Sequence, residues 1–403
     1  MTYTKNNQSK GGLVMLPNIS QRFSQETSGL DDLFTLSTQK EVISFAAGYP
    51  ATDLFPKKQL DNAFLKRTNK KTQQFYQYGS VLGADNLRSE ILTKIALTKP
   101  QITLDNIMLT QGAQQAISLL AELFLDSGDG VVVEGPTYIG ALEAFKLKQP
   151  TFHEVNLKSD GLDLDQLENI VKQYQIKLVY TIPNFQNPTG CCLSLAKRKR
   201  LAKLASRYNF LVIEDDPYRH LRYAGEDLPS IKSFDETGNV VSLGSLSKIL
   251  SPALRLGWLI ADQALIKQLA NLRLALDCQP SNVICEMVEQ YLSDNDLKAH
   301  LTQLNQAYQA KKETMVQCLK KYLPSQCQFT NPQGGFFIWV TLPKHIDSHQ
   351  VLLKNKMVAF IESQGLFVVS QQKNHMRLNF SNVSDKQIKK GCQALGNCIK
   401  EML

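Results

Sequence analysis

Lys248 is the residue of this sequence with the best surroundings for a nucleophile. It lies in SLGSLSKILSPALRLGW, residues 242–258, directly after a β-rich run, with Ser245 and Ser247 before it and Arg255 after it. A lysine amine forms an imine with an aldehyde, and a guanidinium and two hydroxyls can bind phosphate oxygens. Burial and neighbouring cations would lower the lysine pKa and favour the reactive amine. The set suits a phosphorylated aldehyde, although an exposed loop lysine beside an unrelated arginine is the alternative.

An acidic residue ends the candidate strand that precedes this one in the chain, in FLVIEDDPYRHL. Asp215 follows an apolar run, where a carboxylate needs a cationic partner to offset its desolvation. A pyridinium nitrogen would be that partner, and an ionised Asp215 would keep such a ring protonated and able to accept electrons. The alternative role, an aspartate that caps a helix N-terminus, suits Asp216 before Pro217 better than Asp215.

Two further side chains could reach the same ring. In IPNFQNPTG, Asn187 precedes Pro188 and is therefore extended or in a turn, from which its amide could donate to a ring hydroxyl oxygen. Tyr218 could donate to the same oxygen, and Tyr138 in EGPTYIG offers a flat face for stacking. Taken singly, an Asn-Pro turn and a tyrosine after a strand are more often structural.

A helix start provides a possible phosphate site. In TQGAQQAIS, Gly112 and Ala113 lie where a helix is expected to begin, so free backbone amides and the positive end of the helix dipole would face an anion. A plain helix start is an equally good interpretation of these letters alone.

The order of the elements predicts how these residues come together. Between Ile107 and Ile260, β-rich runs alternate with amphipathic stretches of helix length; the runs are GVVVEG, KLVYTIP, FLVIEDD, NVVSLGS and LGWLIA. This alternation favours an α/β fold with a mostly parallel sheet covered by helices. Ligands bind beyond the carboxyl ends of such strands, which is where the residues named above fall.

The texture changes after about residue 290. A long helix, NDLKAHLTQLNQAYQAKKETMVQCLKKYL, precedes the strand-like GGFFIWVTLP, GLFVVS and HMRLNFS. We therefore predict a mobile arm over 1–18, a smaller α+β domain over 19–56 plus 291–403, and a large ligand-binding domain over 57–290.

Composition narrows the class of protein. The 403 residues are 43% hydrophobic and 20% charged, as in globular enzymes. The net charge of +8 is not concentrated in a basic arm, and the densest cluster, Lys197–Arg200, lies in a helical pattern with a solvated face, so we predict no nucleic-acid partner. Eight scattered cysteines without a C-x-x-C pair, and no apolar run of membrane length, predict a cytoplasmic protein without a structural metal or membrane contact.

Nine ordered motifs give the chain a clear family resemblance from about Ile43 to the C-terminus. They are ISFAAGYPATDLFP, YQYGSVLGADNLRSEI, TQGAQQAI, EGPTYIGAL, NFQNPTG, IEDDPYRHLRY, SLSKILSPALRLGW, GGFFIWV and MRLNFS. The sequence resembles fold type I, pyridoxal-phosphate-dependent class I/II aminotransferases of the 2-aminoadipate and kynurenine branch, which also includes the effector domains of MocR-type regulators. The resemblance implies pyridoxal 5'-phosphate (PLP) as cofactor.

The resemblance also implies roles for individual residues. Lys248 is expected to be the Schiff-base lysine and proton shuttle, Asp215 the partner of the ring nitrogen, and Tyr138 the stacking residue. Tyr218 and Asn187 are expected at the ring hydroxyl. The residues expected at the phosphate are Gly112, Ala113, Gln114, Ser245, Ser247, Arg255 and, from the neighbouring subunit of a homodimer, Tyr78. The residues expected at the substrate are Arg377, which binds the α-carboxylate, with Gly48 and Asn187.

The implied reaction moves an amino group from an amino acid to a 2-oxo acid, usually 2-oxoglutarate, with ping-pong kinetics. The alternatives are β-elimination or decarboxylation on the same scaffold, and a MocR-like effector domain. A regulator of that type would have an N-terminal winged-helix head, and about forty residues precede ISFAAGYP.

Two departures concern the substrate pocket. Only Gln371–Met376 separate GLFVVS from the arginine strand, where many relatives have a longer segment with a Pro-Gly turn. The N-terminal SGLDDLFTL has Asp31 and Asp32 and no arginine, and Arg22 fits a surface position, so a reader of a distal carboxylate is not visible. We therefore expect a broad donor range that includes aromatic or aliphatic side chains.

Overall fold

The computed structural model describes residues 20, 22–23, 41–69, 73–96 and 101–403. The predicted arm over 1–18 and the pair Asp31 and Asp32 lie outside the described residues. Within the described ranges the strands are β1 (Ile43–Ser44), β2 (Ile107–Thr110), β3 (Gly130–Gly135), β4 (Thr151–Lys158), β5 (Gly161–Leu162), β6 (Ile176–Thr181), β7 (Leu211–Asp215), β8 (Val240–Ser245), β9 (Gly257–Ile260), β10 (Gln328–Phe329), β11 (Phe337–Thr341), β12 (Val358–Ala359), β13 (Ile361–Glu362) and β14 (His375–Asn379).

The α-helices of the same ranges cover the sheets. They are α1 (Lys57–Asn69), α2 (Asp85–Ile91), α3 (Ala113–Phe124), α4 (Ile139–Lys146), α5 (Leu164–Gln173), α6 (Leu195–Tyr208), α7 (Gln263–Leu276), α8 (Asn282–Asp294), α9 (Leu297–Tyr322), α10 (Ser348–Lys354) and α11 (Asp385–Lys400). None of these described helices is long and apolar enough to cross a membrane.

An eight-stranded sheet in the order β2-β9-β8-β7-β6-β3-β4-β5 forms the centre of the molecule. Its inner strands β3, β6, β7 and β8 are parallel and largely buried, because their apolar runs are covered by helices on both faces. The predicted mostly parallel sheet is therefore confirmed, with β9 as an antiparallel member. Strand β4, which we did not predict, pairs with β3. Several of its side chains are polar or partly exposed, so its sequence lacks the continuous apolar run of the other strands.

Helix α6 carries the basic cluster in a different way from that predicted. Lys197 and Arg200 form ion pairs at the surface, with Asp160 and Asp165 among their partners. Arg198, however, is fully buried and donates to backbone carbonyls, so the solvated face does not include it. Ser194 caps the N-terminus of this helix, and its hydroxyl accepts from the backbone amide of Lys197 in the first turn.

The C-terminal region builds a four-stranded sheet in the order β10-β11-β14-β13. The predicted strands in GGFFIWVTLP and HMRLNFS are confirmed as β11 and β14, but the predicted strand GLFVVS is wrong. Pairing with β14 ends at Glu362, and residues 365–370 contain no strand. β1 pairs with β12, which brings the N-terminal residues to this region, while the division into two domains stays a prediction.

A close approach between two strands makes Gly244 sensitive to substitution. A Cβ atom at Gly244 in β8 would overlap the buried ring of Trp258 in β9. We expect Gly244→Ala to lower the free energy of unfolding of the cofactor-free protein by about 1–3 kcal/mol, measured by urea denaturation. In a Trp258→Leu background, where the large ring is absent, the same Gly244→Ala substitution should lower the free energy of unfolding by less. A single variant as stable as wild type would contradict the contact.

Candidate active site

A cavity of about 380 Å³ opens at the carboxyl ends of the central strands, as the sheet topology predicts. Twelve of the fourteen predicted site residues line it; they are Gly48, Ala113, Gln114, Tyr138, Asn187, Asp215, Tyr218, Ser245, Ser247, Lys248, Arg255 and Arg377. Gly112 and Tyr78 do not line it. Gly112 lies one residue before the wall, at the start of α3, and Tyr78 is 79% exposed.

Lys248 follows β8 and places an amine in the cavity. Its Nζ donates to the carbonyl oxygen of Gly48 at 2.9 Å. Burial, together with the cations Arg377 and Arg255, lowers the pKa of Lys248 to about 8, and Asp215 opposes this shift. At that pKa, roughly a tenth of this amine is neutral, and nucleophilic, at pH 7.

Asp215 ends β7 with one carboxylate oxygen bound and one unbound. The hydroxyl of Tyr180 donates to its Oδ2 at 2.6 Å, whereas Oδ1 is buried without a hydrogen-bond partner among the described residues. Burial raises the pKa of Asp215 to about 6; the Tyr180 bond and Lys248 lower it, and Asp216 raises it. Oδ1 therefore suits a cationic N–H donor in the cavity.

The alternative cap at Asp216 is wrong. Residues 217–220 form a turn, and Asp216 Oδ2 accepts from Asn184 Nδ2 at 2.8 Å instead of capping a helix. Sequence reasoning also missed Tyr180. A tyrosine inside the apolar run KLVYT was the available signal, because a buried hydroxyl needs a polar partner and the neighbouring strand β7 ends in Asp215.

An anion-binding corner forms where α3 begins. Gly112 is the N-cap, has φ 76° and offers no side chain to satisfy the first amides of the helix. Arg255 Nη2 donates to the carbonyl oxygen of Gln111 at 3.1 Å, and a Cβ atom on Gly112 would lie 2.9 Å from that nitrogen. Ser245 and Ser247 line the same cavity. Backbone amides, a guanidinium and two hydroxyls suit a phosphate.

Arg377 in β14 brings a guanidinium to the same cavity from the C-terminal sheet. Its Nη1 donates to Asn187 Oδ1 at 2.8 Å and its Nη2 to the carbonyl oxygen of Ala46, while the guanidinium lies 4.3 Å from the ring centre of Phe337. Its Nε is buried without a partner in the described part of the chain. Burial lowers the pKa of Arg377 to about 10, so it remains charged at neutral pH and can bind a carboxylate.

The ISFAAGYP segment is held by its carbonyl oxygens. Five consecutive carbonyls, from Phe45 to Tyr49, accept hydrogen bonds from the backbone amide of Asn379, the Arg377 guanidinium, the Asn379 amide, the Lys248 amine and the Ser381 hydroxyl. Asn379 and Ser381 belong to MRLNFS, and sequence reasoning missed both. These bonds place Gly48 beside Lys248. The predicted position of Gly48 near the substrate carboxylate stays a prediction.

Two tyrosines supply aromatic surface. A Cβ atom on Gly140 would lie 2.5 Å from the Tyr138 hydroxyl, so the ring folds back over a glycine that leaves it room. Tyr218 packs edge-on against Phe337, with ring centres 5.7 Å apart. Burial raises the pKa of both hydroxyls, which stay protonated and can donate.

The comparisons with known proteins agree with this geometry. The model of the family "Aminotransferase class I and II" matches residues 40–395. The chain belongs to this family. It is 36% identical to aromatic-amino-acid aminotransferase 1 of Thermococcus litoralis over 93% of this chain and 92% of that protein, and 32% identical to the 2-aminoadipate transaminase of Thermus thermophilus over 94% and 95%.

A solved kynurenine aminotransferase of Pyrococcus horikoshii, in complex with PMP, superposes on this aminotransferase with a TM-score of 0.90. The two are 34% identical, and the match covers 94% of this chain and 97% of the other. The predicted fold type I is confirmed. The protein is a PLP-dependent aminotransferase that acts on amino acids, as predicted. The amine, the unpartnered buried carboxylate oxygen and the anion corner fit PLP.

The Tyr180 hydrogen bond makes a testable contribution to the aminotransferase. It stabilises ionised Asp215, so Tyr180→Phe should raise the pKa of that carboxyl and shift the acidic limb of kcat/KM to higher pH by about one unit. Activity above that limb should stay near wild type. The control is Tyr208→Phe, which removes a hydroxyl bonded to Glu168 at the surface. Superimposable profiles for Tyr180→Phe and wild type would contradict the assignment.

Proposed function

We propose that this aminotransferase takes amino acids with apolar or aromatic side chains as donors and passes the amino group to 2-oxoglutarate, in active sites shared by two subunits. The observation that carries the proposal is that Lys248, Asp215 and Arg377 line one cavity. An amine, a carboxylate and a guanidinium there can move a proton, stabilise a ring cation and bind a carboxylate. The surroundings of each group support one of these roles.

The ring of PLP accepts the electron pair that is released at the substrate Cα atom. Asp215 Oδ1, the buried and unpartnered oxygen, holds the proton of the ring nitrogen in place. The Tyr218 hydroxyl and the Asn187 Nδ2 group donate to the ring hydroxyl oxygen; Asn187 Oδ1 is already used by Arg377. Tyr138 covers one face of the ring.

The anion corner holds the phosphate of PLP. Its groups are the first amides of α3, at Gly112 and Ala113, together with Gln114, Ser245, Ser247 and Arg255. Arg255 has φ 45°, an unusual backbone conformation for a non-glycine residue, and this conformation is compatible with its guanidinium lying at the start of the helix.

Lys248 moves the proton. Its Nζ would hold PLP at rest, and when free it would remove the proton of the substrate Cα as a base and return a proton as an acid. A pKa of about 8, lowered by burial and by the two arginines, suits both directions near neutral pH. The Gly48 carbonyl supplies a fixed hydrogen-bond acceptor for Nζ in this cycle.

The donor is bound at two ends. Arg377 and Asn187 hold its α-carboxylate, and Gly48 lies beside that group. Its side chain faces Ile139, Ile361 and Leu366, which line the cavity and are apolar. The names of two relatives, an aromatic-amino-acid and a kynurenine aminotransferase, support this choice of donor. The acceptor 2-oxoglutarate rests on the family resemblance.

An exposed apolar surface supports the homodimer. Tyr76 and Tyr78 are 72% and 79% exposed, and Leu274 and Leu276 are 57% and 59% exposed. A hydrogen bond from the Gly79 amide to Gln279 Oε1 at 2.6 Å links the two segments into one surface. Covering it with a second copy would bury this apolar area and bring Tyr78 towards a neighbouring phosphate site. The cytoplasmic location and the absence of a nucleic-acid partner stay predictions.

The deciding experiment adds single amino acids to the PLP-loaded protein without an oxo acid. A lasting change in the visible spectrum, with one equivalent of 2-oxo acid released, supports transamination, and ranking the donors tests the apolar pocket. Ammonia with pyruvate, or carbon dioxide, would identify a lyase or a decarboxylase instead. Adding 2-oxoglutarate or an apolar 2-oxo acid to restore the first spectrum tests the acceptor.

Lys248→Ala should lower turnover by at least about 10⁴-fold, because both the attachment and the proton transfer are lost. The peptide that contains residue 248 should no longer carry cofactor mass after borohydride reduction. Lys172→Ala, which removes a surface amine paired with Glu168, is the control. Turnover or a reducible attachment that persists in Lys248→Ala would remove this residue from its role.

Arg377→Ala should lower kcat/KM for donors by about 100-fold, on the order of 3 kcal/mol, mainly through KM. Cofactor affinity should change little, because Arg377 lies with the substrate groups and not in the anion corner. Arg207→Ala, whose side chain is 69% exposed, is the control. A larger loss of cofactor affinity than of donor affinity would move Arg377 to the phosphate site.

A further inference from the structure

Residues 365–370 form a wall segment between the active site and the surface. Leu366 is 1% exposed and lines the cavity, whereas Val369, three residues later, is 57% exposed. The segment forms no strand, so the ladder that fixes β13 and β14 does not fix it. Other contacts must therefore hold Leu366 in place.

A carboxylate of the central sheet binds the backbone of the wall segment. Glu154 in β4 accepts, at Oε2, from the amides of Val368 and Val369 at 2.9 Å and of Ser370 at 3.4 Å. Three amide donors on one carboxylate oxygen form charge-assisted hydrogen bonds, which are stronger than neutral ones. A Cβ atom on Gly135 would lie 2.5 Å from Glu154 Cγ, so this side chain occupies the space that a larger residue at 135 would need.

Two further hydrogen bonds hold the segment and the residues that follow it. The amide of Thr137 donates to the carbonyl oxygen of Leu366 at 2.9 Å, directly before the cavity residue Tyr138. After the segment, the Asn374 side chain donates to the carbonyl oxygen of Leu342 at 2.7 Å. Glu154 is the carboxylate among these partners. It reaches the segment from the eight-stranded central sheet, which is separate from the four-stranded C-terminal sheet.

We propose that Glu154 is a positioning residue that sets the preference for large apolar donors by fixing Leu366 in the cavity wall. The inference rests on the proposed function, since Leu366 and its neighbours Ile139 and Ile361 are the apolar face offered to the donor side chain. Without the carboxylate, water replaces it at three partly exposed amides and the segment moves away from the cavity. A large donor then loses contacts, whereas a donor with a methyl side chain has few to lose.

The test compares phenylalanine and alanine as donors for the PLP-loaded enzyme. Glu154→Ala should lower kcat/KM for phenylalanine by about tenfold and for alanine by less than about twofold, with kcat for alanine and cofactor affinity unchanged. Glu154→Gln keeps a neutral acceptor and should fall between Glu154→Ala and wild type. Glu143→Ala, which removes a surface carboxylate paired with Lys146, is the matched control.

Hydrogen exchange gives a readout that needs no turnover. The amides of 368–370 should exchange about tenfold faster in Glu154→Ala, while those of β14 stay unchanged. Equal losses for both donors, or unchanged exchange in both Glu154 variants, would overturn the proposal. A wild-type protein that transaminates neither donor would instead contradict the proposed function, and the exchange rates would still decide whether Glu154 holds the segment.

Discussion

The structure depends on keeping three charged side chains in one largely desolvated cavity. Burial removes water from all three groups, Lys248, Arg377 and Asp215, and favours their neutral forms. It lowers the pKa of Lys248 and of Arg377 and raises the pKa of Asp215. Protein hydrogen bonds offset only part of this cost: Asp215 Oδ1 and Arg377 Nε are buried without partners in the described residues. The unpartnered atoms are those that a ring nitrogen and a carboxylate would satisfy, so binding completes a network that folding leaves unfinished.

The same requirement explains the folding of the N-terminal ISFAAGYP segment. The cations Lys248 and Arg377 and the donors at the end of β14 need hydrogen-bond acceptors. Five consecutive carbonyls, from Phe45 to Tyr49, supply them. This row can form only when β14, the end of β8 and the segment are together. Lys248 and Arg377 therefore donate to one piece of backbone, so a displacement of that segment would disturb both side chains at once.

The elements predicted best are those whose signal lies within a few residues. Continuous apolar runs identified β3, β6, β7 and β8, and their polar ends identified Lys248, Asp215 and Asn187. The failures depend on distant partners. Strand β4 mixes polar and apolar residues and pairs with β3, and the buried Arg198 donates to carbonyls such as that of Pro183. Residues 365–370 form no strand, and three of their amides donate to Glu154. Tyr180 was visible as a tyrosine in a buried run, but its partner lies on another strand.

The residues proposed for the reaction lie in short local motifs, whereas those proposed for substrate preference come from segments far apart in the sequence. The groups that we propose bind the cofactor and move the proton follow strand ends and lie within short motifs, so local sequence patterns point to them. The proposed donor pocket instead uses Ile139, Ile361 and Leu366 from three separate segments. The amide of Thr137 donates to the Leu366 carbonyl, and Glu154 accepts from amides two to four residues further on. Hydrogen bonds to backbone amides and carbonyls do not depend on which side chains the bonded residues carry. If Glu154 has the proposed positioning role, a substitution there would change the donor preference without altering any residue of the cavity lining, to which Glu154 does not belong.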